Sequence, residues 1–211
     1  MKTLDRALDK LNQVLLEMAD VVEKNMEIAN KYYFDRTSTE KVNDDKVDMY
    51  ERFVEEMVLD IMIKERPYAS DLRILTGILT LVEDIERIGD HAEDIYNFTS
   101  RLIDTNSNIV FDIKDISDLV VQMFHHAIRS FIDKDEKLAL EVINLDDTVD
   151  KLYEEKLNEL IEKWNNKDDS SFAIYNTLVI KYLERIADHS VNICEWVIYI
   201  IRGYYKDKQI F

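Results

Sequence analysis

An all-α fold, built as two tandem three-helix bundles with six long helices, is predicted by three observations. Apolar residues return every three or four positions along almost the whole chain, the repeat of a helix with one buried face. Among 211 residues there are 3 glycines and 1 proline, so the tight turns that join strands lack the residues they use. Two blocks of sequence also occur twice. Glu86-Arg87-Ile88-Gly89-Asp90-His91 returns as Glu184-Arg185-Ile186-Ala187-Asp188-His189, and Asp44-Asp45-Lys46-Val47-Asp48 returns as Asp146-Asp147-Thr148-Val149-Asp150. Amphipathic periodicity does not by itself reproduce charged blocks, so the chain is expected to be an internal duplication with halves at 1–105 and 106–211.

The first helix is expected over residues 4–34. Thr37 and Glu40 then have capping-box spacing for a second helix, which carries Val47, Tyr50, Val54, Met57, Val58 and Ile61 on one face. Pro67 interrupts the pattern, and Ser70-Asp71 starts a third helix reaching residue 103, followed by a polar stretch over 104–108. A fourth helix spans 112–132. Asp133 and Glu136 repeat the capping-box spacing and open a fifth helix to residue 164. The polar run 165–170 precedes a sixth helix to about residue 205. Short connections make consecutive helices antiparallel neighbours.

Charge narrows the function. With 27 Lys+Arg against 44 Asp+Glu the formal net charge is −17, which excludes the basic stripe of a nucleic-acid binder and opposes an anionic membrane surface. Apolar residues make up 46%, enough to build a core and exclude disorder. The longest uncharged apolar run, 74–82, is far short of the ~20 residues a membrane helix needs, and the charged start MKTLDRALDKLNQ is no signal peptide. The single cysteine, Cys194, forms no internal disulfide and suits a reducing compartment. A cytoplasmic protein is expected.

The informative chemistry is carboxylate spacing. Residues three or four apart share a helix face, so Glu86, Asp90 and Asp94 form a ladder on the third helix and Glu184 and Asp188 on the sixth. Asp44, Asp48 and Glu51 on the second helix, and Asp146, Asp150 and Glu154 on the fifth, are placed to face them. Like charges at this spacing repel by a few tenths of a kcal/mol, so such ladders do not serve helix stability. Acids from neighbouring helices can instead converge on a hard divalent or trivalent cation. Oxygen ligands suit iron, manganese, magnesium or calcium, with zinc also compatible. Against this, acids at helical spacing also arise on solvated faces of any strongly acidic chain. Arg87 and Arg185 are expected as salt-bridge partners, His91 and His189 at the surface, His125 and His126 as a helix-surface or interface pair, and Cys194 in the core. The Glu-x-x-His of di-iron bundles is absent, because Ile88, Gln122, Met123 and Ile186 stand three before the histidines. No phosphate loop, zinc spacing or nucleophile elbow occurs.

Taken in order, Glu65-Arg66-Pro67-Tyr68-Ala69-Ser70-Asp71-Leu72-Arg73, Glu86 to Asp90 with Ile95, and Glu184 to Asp188 with Asn192-Ile193-Cys194-Glu195 closely resemble the PhoU family of phosphate-specific transport system accessory proteins. The likeness covers the whole chain and is sharpest around 65–95 and 180–203. It implies two three-helix bundles and a cytoplasmic, non-catalytic regulator. Such a regulator acts with the phosphate ABC transporter, through its ATPase subunit, and with a phosphate-sensing histidine kinase, and restrains uptake and starvation signalling when phosphate is plentiful. A homodimer is expected. The resemblance also implies iron or zinc clusters at the acidic motifs, with magnesium or manganese as other candidates. The matching positions are Glu86 with Asp90, Glu184 with Asp188, Asp44 with Asp48 and Asp146 with Asp150. Asn192 replaces Asp94 in the second half, so the first site is expected to hold metal more tightly. A metal-dependent phosphohydrolase or a metal-storage bundle is the alternative; release of phosphate from model esters would separate an enzyme from an adaptor.

Overall fold

The structure, a computed structural model, describes residues 2–37, 40–104, 109–164, 170–205 and 208–209. Six helices dominate it: α1 (Lys2–Asp35), α2 (Asp44–Glu65), α3 (Ala69–Asp104), α4 (Lys114–Asp133), α5 (Glu136–Trp164) and α6 (Ser170–Arg202). A two-residue antiparallel pair follows, β1 (Tyr204–Tyr205) against β2 (Lys208–Gln209), where a longer sixth helix was expected. Gly203, at φ +82°, ends α6, and its missing Cβ leaves room for the Arg73 guanidinium. No helix among the described residues is long and apolar enough to cross a membrane.

Helix starts depart from the capping boxes expected at Thr37 and Asp133. Asn43 caps α2, its side-chain oxygen accepting from the Lys46 N–H at 3.2 Å, and Thr37 and Glu40 lie in the connection before it. Asp135 caps α5 by accepting from the Leu138 N–H at 3.1 Å, while Asp133 is the last residue of α4 and faces Arg129 at 3.4 Å. Proximity decided each case, because a closer Asx residue sits one turn before the first free N–H groups. The helix ends show how a glycine-poor chain turns. Arg36, Arg66 and Lys134 follow α1, α2 and α4 with φ of 56°, 46° and 50°. A left-handed non-glycine residue costs about 1–2 kcal/mol, and a positive side chain at a helix C-terminus offsets part of it through the dipole.

α1 and α2 pack on α3, and α4 and α5 pack on α6, so each half is a three-helix bundle. The halves meet where α3 lies antiparallel along α6, and one buried cluster continues through both. Gly77 permits that approach: a Cβ there would fall 2.5 Å from Ile200 Cγ1. Further along, Phe98 stacks on Tyr182 with centroids 5.8 Å apart. The Tyr33 hydroxyl joins the halves again, 2.5 Å from Asn176 Oδ1 and 3.0 Å from the Phe111 carbonyl.

Candidate metal centre

Antiparallel packing of α2 on α3 brings the first-half acids together. Val47 and Asp44 lie over Gly89, where a Cβ would stand 3.1 Å from Val47 Cγ1 and 3.4 Å from Asp44 Oδ1. Around that point Asp44 and Asp48 face Asp90 and Glu93, and Glu51 faces Glu83, with Glu86 within electrostatic reach of Glu51, Asp48 and Asp90. Burial first, then repulsion from Asp90, pushes the Asp44 carboxyl up to about 6 and that of Glu86 up to about 7, with Arg87 opposing the rise at Glu86. Glu51 and Glu93 are raised by burial and by neighbouring acids. Arg87 is the salt-bridge partner expected, donating to Asp90 at 2.9 Å and lying 3.6 Å from Glu86 Oε2.

The second half repeats this more sparsely. Asp146 is raised by burial, then by Asp188 and Asp150; Glu184 is raised by burial, then by the same two acids, with Arg185 opposing. Glu195 also acts on Asp146. Glu154 is exposed on α5. At the register that pairs Asp48 with Asp150, the counterpart of Glu51 is Tyr153, so the second cluster has no acid in that place.

Asp94 is placed otherwise than its ladder spacing suggests. Its carboxylate accepts a hydrogen bond from the Tyr182 hydroxyl of α6, and of the first cluster it interacts with Asp90 and Glu93. The histidines expected at the surface are inside the α3–α6 seam. His91 is 6% exposed, its ring against His189 and Tyr182, and burial pushes its pKa down to about 4. His189 Nδ1 lies 2.8 Å from Asp84 Oδ1, which also accepts from Asn192 Nδ2 at 3.1 Å. The helical angle did point these rings away from the acidic face, but that direction leads to the other half and not to water. Asp84, 8% exposed, is the residue that sequence reasoning missed; its signal is an acid lying between Val82 and Ile85 in the apolar stripe of α3. Cys194 is buried, with its thiol pushed up to about 12 by burial, and His125 is exposed with Nδ1 3.0 Å from Glu23 on α1.

The donor set fits a hard cation. Asp44 Oδ1 and Glu86 Oε2 are buried oxygens that accept no hydrogen bond, a costly state that a cation would relieve. Among the described residues, no three His, Cys, Asp or Glu side chains already converge as a complete set of ligands.

A family model described as the PhoU domain matches residues 15–99 and 113–197, one match in each half. The chain is 32% identical over 209 residues to the phosphate-specific transport system accessory protein PhoU homolog of Clostridium acetobutylicum, covering 96% of this chain and 95% of that one. The homolog of the same name in Pseudomonas aeruginosa is 32% identical over 203 residues, covering 93% and 84%. The crystal structure of PhoU from P. aeruginosa superposes with a TM-score of 0.87 at 30% identity, over 95% of this chain and 99% of that one. That of the phosphate transport system regulatory protein PhoU from Streptococcus pneumoniae gives 0.74 at 22% identity and shares the fold.

Proposed function

The chain belongs to the PhoU family, and from that membership we propose that it regulates phosphate transport. In this reading it is a non-catalytic adaptor in the cytoplasm, a homodimer that engages the ATPase subunit of a phosphate ABC transporter and a phosphate-sensing histidine kinase. It restrains uptake and starvation signalling when phosphate is plentiful. The observation that supports this most is the nearly full-length likeness to proteins named phosphate-specific transport system accessory proteins.

The acidic clusters are the metal-binding part of the proposal, with iron or zinc the favoured ions. Asp44, Asp48, Glu51, Glu86 and Asp90 would hold the first site, and Asp146, Asp150, Glu184 and Asp188 the second. A bound cation supplies positive charge between two acidic helices. The chain's own carboxylates then set how firmly α2 is held on α3 and α5 on α6, which is how metal occupancy would reach a partner surface.

The test is genetic and direct. In a bacterium lacking its own PhoU protein, this chain should restore repression of phosphate uptake and of a starvation reporter in phosphate-rich medium. A double variant, Glu86→Gln with Asp90→Asn, should fold yet restore less. No effect of the unaltered chain on either readout would refute the regulatory reading, and turnover of p-nitrophenyl phosphate above background would refute the non-catalytic one.

A further inference from the structure

Beside the α4–α5 turn, a cavity of about 280 Å³ opens between α1, α3, α4 and α6, and none of the acids of the two clusters lines it. Leu8, Ile74, Phe131 and Ile200 give it apolar walls. One edge is different. Asp5, Asp9 and Asn12 line it at i, i+4 and i+7 of α1, a spacing that stacks them along a single helix face. All three present acceptors. Asn12 Oδ1 is buried and receives no hydrogen bond, while Asp5 and Asp9 stand exposed at the rim and, among the described residues, are in no ion pair or hydrogen bond with the protein. Lys134 brings one positive charge to the lining, which leaves a negative surplus.

We propose that this cavity receives an arginine side chain from a partner protein, and is a docking point for a basic, partly apolar segment of that partner. The chemistry selects the occupant. An apolar wall beside two exposed carboxylates and one buried, unpartnered amide oxygen matches a side chain with a hydrocarbon stem and a head made only of donors. The planar guanidinium can bridge neighbouring acceptors with several N–H groups and lie against an aromatic ring such as Phe131, which a lysine ammonium does less well. Anionic ligands and anionic lipid surfaces meet two carboxylates here against the single positive charge of Lys134. A second copy of the chain would bring another −17 of charge toward the same carboxylates.

The probe is a pair of short peptides, Ac-Leu-Arg-Leu-NH2 and the same peptide with citrulline, which keeps the shape of arginine and removes its charge. The readout is the methyl spectrum of the full chain labelled at isoleucine. The arginine peptide should shift the Ile74 and Ile200 methyls, with the citrulline peptide binding roughly tenfold more weakly. Asp5→Asn with Asp9→Asn should weaken the arginine peptide to the same degree. Glu141→Gln with Glu155→Gln removes as much charge from an exposed part of α5 and should change binding less than twofold. Equal binding of the two peptides, equal weakening by the two variant pairs, or no movement of Ile74 and Ile200 overturns the proposal. Movement of those methyls on diluting the protein alone would assign the face to a second copy, and would overturn it as well.

Discussion

Glu86 and His91, five residues apart on α3, are displaced in opposite directions by the same burial. The Glu86 carboxyl is pushed up to about 7 by burial and Asp90, and the Asp44 carboxyl up to about 6. An acid whose folded pKa exceeds its unfolded value of about 4 keeps a proton that the unfolded chain has lost, so stability falls as pH rises through that window. His91, pushed down to about 4 by burial, does the reverse below the unfolded histidine value of about 6.5. There the unfolded chain takes up a proton that the folded chain refuses, and stability falls as pH drops. Between pH 6.5 and 8 the unfolded histidine releases only the last of its proton, and the acids dominate. In EDTA, the thermal midpoint is therefore expected to fall from pH 6.5 to pH 8, and Glu86→Gln is expected to flatten that fall. An unchanged slope in the variant would show that Glu86 titrates no differently folded and unfolded. Saturating metal should flatten it too, since a cation keeps the carboxylates ionised in the fold.

Between helices, the α3–α6 seam has a pseudo-twofold plan with unequal chemistry. Asp84, His91 and Asp94 of α3 correspond in the repeat to Tyr182, His189 and Asn192 of α6. On one side Asp84 accepts from His189 and Asn192; on the other, Tyr182 donates to Asp94 beside the His91 ring. Duplication supplied the positions, and divergence turned a repeated pair into an acceptor on one side and a donor on the other. Removing an acceptor strands its donors, whereas removing an exchangeable hydroxyl beside solvent leaves less behind. Asp84→Ala is thus expected to cost about 2–3 kcal/mol in urea unfolding at pH 8, and Tyr182→Phe about 1 kcal/mol. Equal losses would mean that the seam is apolar packing with decorative hydrogen bonds.

At the scale of the whole molecule, the two acidic clusters make the halves unequal. The first gathers Asp44, Asp48, Glu51, Glu86, Asp90 and Glu93; the second has Asp146, Asp150, Glu184 and Asp188, with Glu195 acting on Asp146. For hard cations affinity follows the number of charged ligands, so the first site is expected to be the tighter. The reason differs from the one that Asn192 suggested. Asp94 turns toward Tyr182, and the acids that separate the sites are Glu51, whose counterpart is Tyr153, and Glu93, whose counterpart is Val191. Metal analysis during a chelator titration checks this. Asp90→Ala, left with the second site, should lose metal at lower chelator than Asp188→Ala, left with the first; the opposite order would invert the ranking. Glu51→Tyr should bring the first site toward the behaviour of the second.

Much of the architecture was legible in the sequence because it rests on local rules. Period-3.6 apolar spacing produced the six helices, and recurrence of charged blocks produced the duplication, since a helix needs only its own sequence and one apolar partner face to form. The facing of Asp44 and Asp48 on Glu86 and Asp90 followed from antiparallel neighbours joined by short connections. Helix starts were misjudged because several Asp, Asn and Thr residues lie near each one, and only backbone geometry selects Asn43 and Asp135. The seam was beyond the sequence for a larger reason. A helical wheel tells which residues leave the apolar stripe, and it cannot tell whether the space they enter is water or another bundle. His91, Asp84 and Asp94 face α6 across 80 or more residues of chain. By itself the sequence determined which helices form and which carboxylates can share a face; the tertiary structure alone decided which polar side chains are buried between the halves, because that depends on contacts between segments that no local pattern relates.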